Sequence, residues 1–280
     1  MHRKFKTKLL IILIVILNSI FTYASSNIID NSKPFLLHEK TYIQYYLGNQ
    51  IMNAGVGGSI IFGKYEQDNI IENGLEDIEW IVLAYDDKNC SAVLISSYAL
   101  DCYSINGFHE NVRWENCSLR AHMNNDMMLS MFNDEELSCI VPTRLENSPN
   151  FYNGEDSGSP TTDFLYLPGL DEMYFFFSNP YMVNEAKIEA LLKPNKNRVC
   201  HATSYAVARG VRVIGGEGKD KMACNYFLRT TGLSGHRIWY GDVYADYYQS
   251  FVSETGEVKP DGTGITSMDD GIRVMMQVKF

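Results

Sequence analysis

The sequence has no excess of positive charge, no C-x-x-C unit, no apolar run long enough to span a bilayer and no internal repeat. Each absence removes a class of protein. With 24 Lys+Arg against 34 Asp+Glu, the 280-residue chain carries a net charge of -10 and lacks the basic surface that duplex nucleic acid requires. The six cysteines, Cys90, Cys102, Cys117, Cys139, Cys200 and Cys224, include no closely spaced pair, so a structural zinc site or thioredoxin-type motif has no support. The longest apolar run, Leu9–Leu17, falls well short of the roughly 20 residues of a spanning helix. The absence of any period of about 20–50 residues excludes solenoids and propellers. Strands and helices do not alternate regularly, which argues against a doubly wound parallel sheet.

What is present begins with targeting. Arg3, Lys4, Lys6 and Lys8 precede the apolar run, and small residues Thr22 and Ala24 follow it. This is the pattern of a secretory signal, with cleavage expected near Ala24 and no cysteine placed for lipidation. An uncleaved anchor extended through Ile20 and Phe21 is the plainer alternative. Loss of residues 1–24 removes four basic side chains, leaving 20 Lys+Arg against 34 Asp+Glu and a net of -14. The expected product is secreted or held at the cell surface, with no integral span after cleavage. Hydrophobic residues at 45% and charged residues at 21% fit a packed domain.

Residues 25–53 read as a polar lead-in, either a short helix or a tether, with an aromatic patch at Tyr42, Tyr45 and Tyr46. Residues 54–280 read as one α+β domain. GSIIFGKY, IEWIVLAY and SAVLISSYAL predict three strands of an antiparallel meander. Leu119, Met123, Met127 and Met131 form an apolar helical stripe, and Asn133 with Glu136 predicts a capping box. Asn179-Pro180 and Lys193-Pro194 bracket a further helix, and 202–209 is helical in texture. Residues 147–162 form a long polar loop. At the end of the chain, Ile272, Val274, Met276, Val278 and Phe280 alternate with Arg273, Met275, Gln277 and Lys279, which predicts a strand with one buried face.

Several patterns invite chemistry, and each has a plainer reading. Gly55, Gly57 and Gly58 precede a strand instead of a helix, so a glycine-rich turn is preferred over a phosphate loop. Cys200-His201 with Cys224 and His236 suggests a nucleophile pair or soft metal site, but matches no template. Asn153 to Ser159 offers calcium-type oxygens without the terminal glutamate of a binding loop. Asp101, Glu110, Glu115, His109 and Arg113 cluster in sequence, as acid–base groups do. Six cysteines allow 15 pairings. Cys102–Cys117, which would close a short loop, is the pair selected. Trp239, Tyr240, Asp242 and Tyr244 combine aromatic faces with acidic acceptors, as glycan-binding surfaces do, although a core hairpin has the same composition. No metal or cofactor is expected.

The blocks IEWIVLAY, LISSYALDCYSIN, VRWENCSLRAHMNNDMM, FNDEELSCI, TTDFLYL, YFLRTTG and GIRVMMQV occur in that order. Over about residues 57–280 they resemble an uncharacterised bacterial family, domain-of-unknown-function family 6273, with W-E-x-C-x-L-R the most specific block. The closing LR…G-x-R arrangement is similar to the C-type-lectin-like group, which includes the formylglycine-generating enzyme. The resemblance implies a compact, mostly antiparallel α+β domain with N- and C-terminal strands paired and helices in the middle. It implies framework roles for Trp114, Leu119, Arg120, Leu228, Arg229 and Arg273. Departures are Thr230-Thr231-Gly232 in place of S-P-G and Val274-Met275-Met276 after the final arginine. The calcium triplets EPN, QPD and WND are absent, and Cys200 and Cys224 stand 24 residues apart, unlike the close pair of the oxidase. The expectation is an exported, non-catalytic binding domain for a glycan or protein ligand. A hydrolase or oxidase on the same scaffold and a structural envelope protein are the alternatives.

Overall fold

The computed structural model describes residues 41–178, 181–214, 222–239 and 242–280. The leader, most of the lead-in, Asn179, Pro180 and Tyr240 lie outside the described residues.

The described chain opens with the helix Tyr42–Ala54. Thr41 and Gln44 cap it reciprocally: the Gln44 N–H donates to Thr41 Oγ1, and the Thr41 N–H donates to Gln44 Oε1. Leu47 and Ile51 are fully buried, whereas Tyr42, Tyr45 and Tyr46 face outward. This helix packs into the main core, so the domain begins before residue 54. Gly55 and Gly57 follow it with φ of 66° and 85°, left-handed values that glycine takes without steric cost. The glycine cluster is therefore a turn leading into a strand.

Strands Ser59–Tyr65, Glu76–Asp86 and Ser91–Ser96 form the expected antiparallel meander. The C-terminal strand Met275–Lys279 pairs antiparallel with the third of these, from Met275 opposite Ile95 to Lys279 opposite Ser91. It also pairs with Ile140–Val141 and Leu165–Tyr166 on its other side. The tail thus joins the N-terminal meander through its third strand, while Ser59–Tyr65 remains at the sheet edge.

A second sheet runs Val258–Gly264, Tyr248–Val252, Tyr226–Thr231, Gly271–Ile272 and Asp101–Cys102. The segment 271–280 therefore belongs to two sheets. This corrects the one-sided strand expected from its alternation. Arg273 and Met275 are buried along with Ile272, Val274 and Met276, and only Lys279 is exposed. Where the chain crosses between sheets it has packing on both sides, which period-two patterning cannot register.

Leu119, Met123, Met127 and Met131 line one buried stripe along consecutive helical turns Ser118–His122, Met123–Met127 and Met128–Met131, the middle one a π-turn. Burying each contributes about 1.5–3 kcal/mol. Asn133 and Glu136 form the predicted capping box, each backbone N–H donating to the other's side-chain oxygen at 3.0 Å. Helices Leu170–Phe177, Asn184–Leu191 and Ser204–Arg209 flank a second cluster containing Cys102, Cys200, Cys224, Tyr226 and Leu228.

The polar loop 147–162 is partly interior. Asn150 is fully buried, and its Nδ2 donates to the Thr231 and Pro260 carbonyls at 2.9 Å each. Ser157 Oγ accepts from the Thr231 N–H. Glu155 Oε1 accepts from the Ser234 amide and ties the loop to a distant segment, whereas Asp156 Oδ1 accepts from the Gly158 amide within the loop. No described helix is long and apolar enough to cross a membrane.

Candidate functional site

The W-E-x-C-x-L-R block folds around one carboxylate. Trp114 sits on a 3-10 turn and Arg120 in the helical turn that follows. Asp163, at the end of the short strand Thr161–Asp163, accepts from Trp114 Nε1 at 2.9 Å, Arg120 Nε at 2.6 Å and Thr161 Oγ1 at 2.8 Å. The carboxylate side chain has no exposed surface. Arg120 also donates to the Glu115 carbonyl, which ties the guanidinium to its own turn. Four residues on, Asn124 clamps the next strand: its Oδ1 accepts from Phe164 and Leu165 amides and its Nδ2 donates to the Leu165 carbonyl. Leu119 is fully buried beneath this knot.

Arg229 forms a second buried knot. Its Nη2 donates to Glu172 Oε1 at 2.7 Å and its Nη1 to the Leu167 carbonyl at 3.0 Å. The other oxygen of Glu172 accepts from the Gly169 N–H and caps the helix Leu170–Phe177. The neighbouring Leu228 is fully buried in the second cluster. A third knot holds Arg273, whose Nε donates to the Ser96 carbonyl at 3.1 Å and whose Nη1 reaches Tyr226 Oη at 3.4 Å. The Tyr226 hydroxyl in turn donates to the Arg198 carbonyl. Arg198 Nη2 donates to the carbonyls of Ala190, Leu191 and Lys193, capping the end of the helix Asn184–Leu191.

The framework residues expected from the resemblance therefore lie in buried hydrogen-bond knots or in the core. The sequence reading did not single out their partners Asp163, Asn124, Glu172, Tyr226 and Arg198. Asp163 and Asn124 were visible inside the quoted blocks, and the spacing of Asn124 four residues after Arg120 is a helical signal.

Of the acidic and basic residues weighed near 101–115, Asp101 is engaged with groups from outside that stretch. Asp101 accepts from Tyr65 Oη at 2.7 Å and from Arg209 Nε at 2.9 Å, whereas Glu110 is exposed. Burial, with the Asp101 charge beside it, raises the Tyr65 phenol. Asp270 is buried against Asn225 and Ser267, and burial pushes its carboxyl up to about 6. Glu66, Asp68 and Glu76 each bring a carboxylate oxygen within 4.8 Å of the others, a hard-oxygen set of the kind cations such as calcium use. These acids already accept from the amides of Gln67, Asp68 and Ile70 and from Asn73 Nδ2, which holds the 66–76 turn together.

The Cys102–Cys117 bridge is not formed. Cys102 lies in the second cluster with Sγ donating to the Met268 carbonyl at 2.8 Å. Cys117 lies in the main core, where its sulfur accepts from the Arg120 N–H. Burial raises both thiols to about 11. Closeness in sequence did not align the two Cβ atoms, because the segment between them leads from one cluster to the other. Cys200 and Cys224, by contrast, are direct partners across antiparallel strands Cys200–Ala202 and Ala223–Cys224.

Of the expected ligand surface, Tyr240 lies outside the described residues. Gly235–Trp239 pairs with Asp242–Asp246 in a two-stranded ladder that joins no other strand among the described residues. Trp239 stands opposite Asp242 and Arg237 opposite Tyr244, which places these four positions on one face.

Three arginine-centred knots inside two cores define an α+β framework domain. The family described as domain of unknown function DUF6273 matches residues 89–280, and the chain belongs to that family. The match begins after the IEWIVLAY block, later than residue 57. No curated protein and no solved structure matches the chain.

Proposed function

We propose that this chain is an exported, non-catalytic binding domain that takes a glycan or protein ligand at the cell surface or outside. The carrying observation is how the family's polar residues are used. Trp114, Arg120, Arg229 and Arg273 are spent on internal partners, whereas the ladder Gly235–Asp246 pairs with no other described strand. On one face of that ladder stand Trp239, Tyr244, Asp242 and Arg237, combining aromatic bodies with polar hydrogen-bonding groups. The basic start and apolar run Leu9–Leu17 support export. The net of -14 left by cleavage disfavours phosphate-rich or anionic-lipid partners.

The test is retention on a glycan array and on immobilised envelope proteins, using the chain as exported. Trp239→Ala and Tyr244→Ala are expected to abolish retention while leaving the melting temperature within about 2 °C of the parent, as surface changes do. A large melting shift makes these residues core and defeats the assignment. A parent that binds nothing on either surface points to the structural-envelope reading. Export is read by intact mass, which should show loss of residues up to Ala24.

A further inference from the structure

Cys200 and Cys224 meet inside the second core, although 24 residues separate them. Cys200 lies directly opposite Cys224 in an antiparallel ladder, and both side chains are fully buried. The Ala202 N–H donates to the Met222 carbonyl at 2.8 Å, so the ladder continues past the pair in the same register. Residues directly opposed in such a ladder have Cα atoms about 4.5–5.5 Å apart, inside the range a disulfide bridges. The two thiols interact directly, and Cys200 Sγ also faces the His201 and Ser97 carbonyls at 3.8 and 4.0 Å.

A cation accompanies them. Arg273 is fully buried, and among the described residues no carboxylate lies within ion-pair distance of it. Its guanidinium lies over the Tyr226 ring and interacts electrostatically with Cys200, Tyr226 and Cys224. Burial raises the Cys200 thiol, but the hydrogen bond from Cys224 and the Arg273 charge outweigh it and hold Cys200 below its usual range. The same hydrogen bond, together with burial, holds Cys224 well above it.

We infer that Cys200 and Cys224 are a reversible dithiol–disulfide couple, oxidised by a disulfide donor, with Arg273 as the positioning residue that favours the reduced form. One cysteine thiolate attacks the donor disulfide, giving a mixed disulfide and releasing the first donor thiol. The second cysteine sulfur attacks the protein sulfur of that mixed disulfide and releases the second donor thiol. Two thiols and one donor disulfide thus become one cross-strand disulfide and two donor thiols, with two electrons and two protons passing to the donor. Both sulfurs are buried, so exchange requires local opening. Ala223–Cys224 is a two-residue outer strand of its three-stranded sheet that also bridges Val213, with the Ile214 N–H donating to the Ala223 carbonyl at 3.1 Å, so opening releases this short strand together with that bridge. Closing the disulfide ends the favourable interaction between Cys200 and the buried Arg273 charge, which opposes oxidation and keeps the couple reducible.

The test uses the full chain equilibrated in graded mixtures of reduced and oxidised glutathione, quenched in acid, alkylated in denaturant and mapped by mass spectrometry. The expected result is coordinated loss of two alkylation sites, on the peptides carrying Cys200 and Cys224, reversed by dithiothreitol. Arg273→Gln should shift the glutathione equilibrium measurably toward the disulfide, whereas Arg273→Lys, which keeps the charge, should stay near the parent. Six alkylated thiols at every ratio, or a lost pair that maps elsewhere, overturns the couple. An Arg273→Gln protein that folds with an unchanged equilibrium overturns the role of Arg273. The parent map decides the couple even where a variant fails to fold.

Discussion

Gly48 of the first helix lies against the ring of Phe280, the last residue of the chain. A Cβ built on Gly48 would stand 2.6 Å from Phe280 Cδ2. The contact joins the beginning of the domain to its end, and it makes residues 42–54 part of the fold. Gly48→Ala is expected to destabilise the protein by about 1–3 kcal/mol, although alanine is the better helix former by about 1 kcal/mol. Phe280→Leu should recover part of that loss in the double variant. Chemical denaturation of the four proteins checks this, and additive effects would show that the two residues do not meet.

Asp163 carries three donors, so its removal should be costly. Asp163→Ala leaves Trp114 Nε1, Thr161 Oγ1 and the Arg120 guanidinium without their acceptor. Breaking such a buried pair costs about 3–5 kcal/mol. Arg120→Ala should cost less than Asp163→Ala, because 28% of the Arg120 side chain is exposed and Trp114 keeps its acceptor. Urea midpoints at constant slope measure both.

Asp270 sets a pH dependence of unusual sign. Its carboxyl is raised to about 6 by burial, so the folded chain holds this proton to a higher pH than the unfolded chain does. Between about pH 4 and 6 the unfolded state ionises first, and stability falls as pH rises, by at most about 3 kcal/mol. Asp270→Asn should remove that fall. The difference between the parent and variant stability curves, measured from pH 3 to 8 in about unit steps, isolates this group from the other carboxylates.

Native alkylation should separate the cysteines. Cys90 is the one cysteine with partial exposure. Cys102 and Cys117 are buried and raised to about 11, leaving on the order of one thiolate in a thousand at pH 8. Iodoacetamide is expected to modify Cys90 at least about 100-fold faster than either, since only the thiolate reacts. Comparable rates would mean that the buried clusters open readily.

Elements whose signals are local were legible in advance. Each strand of the meander, the Leu119–Met131 stripe and the Asn133–Glu136 box follow from residues within about a dozen positions of one another, and each is present. The framework residues were legible as a set through recurring blocks, but their function as three separate knots was not, because Asp163 and Glu172 come from other segments. Two local patterns carried less than the fold decides. Alternation from Ile272 onward predicted one buried face where the segment is buried on both, and 147–162 read only as a long polar loop although Asn150 within it is fully buried. Burial of Arg273 and of Asn150 depends on carbonyls supplied by residues about 80 to 180 positions away, at Thr231 and Ser96.

By itself the sequence determined the class of the fold and many of its strands and helices, because periodicity and caps act over short stretches of chain. The tertiary structure alone decided which sulfur faces which, where the last strand passes between two cores, and which acid answers each arginine. Those choices depend on strand register and on burial by distant segments, and a single hydrogen bond or thiol pair at such a crossing leaves no pattern along the chain until the chain has folded.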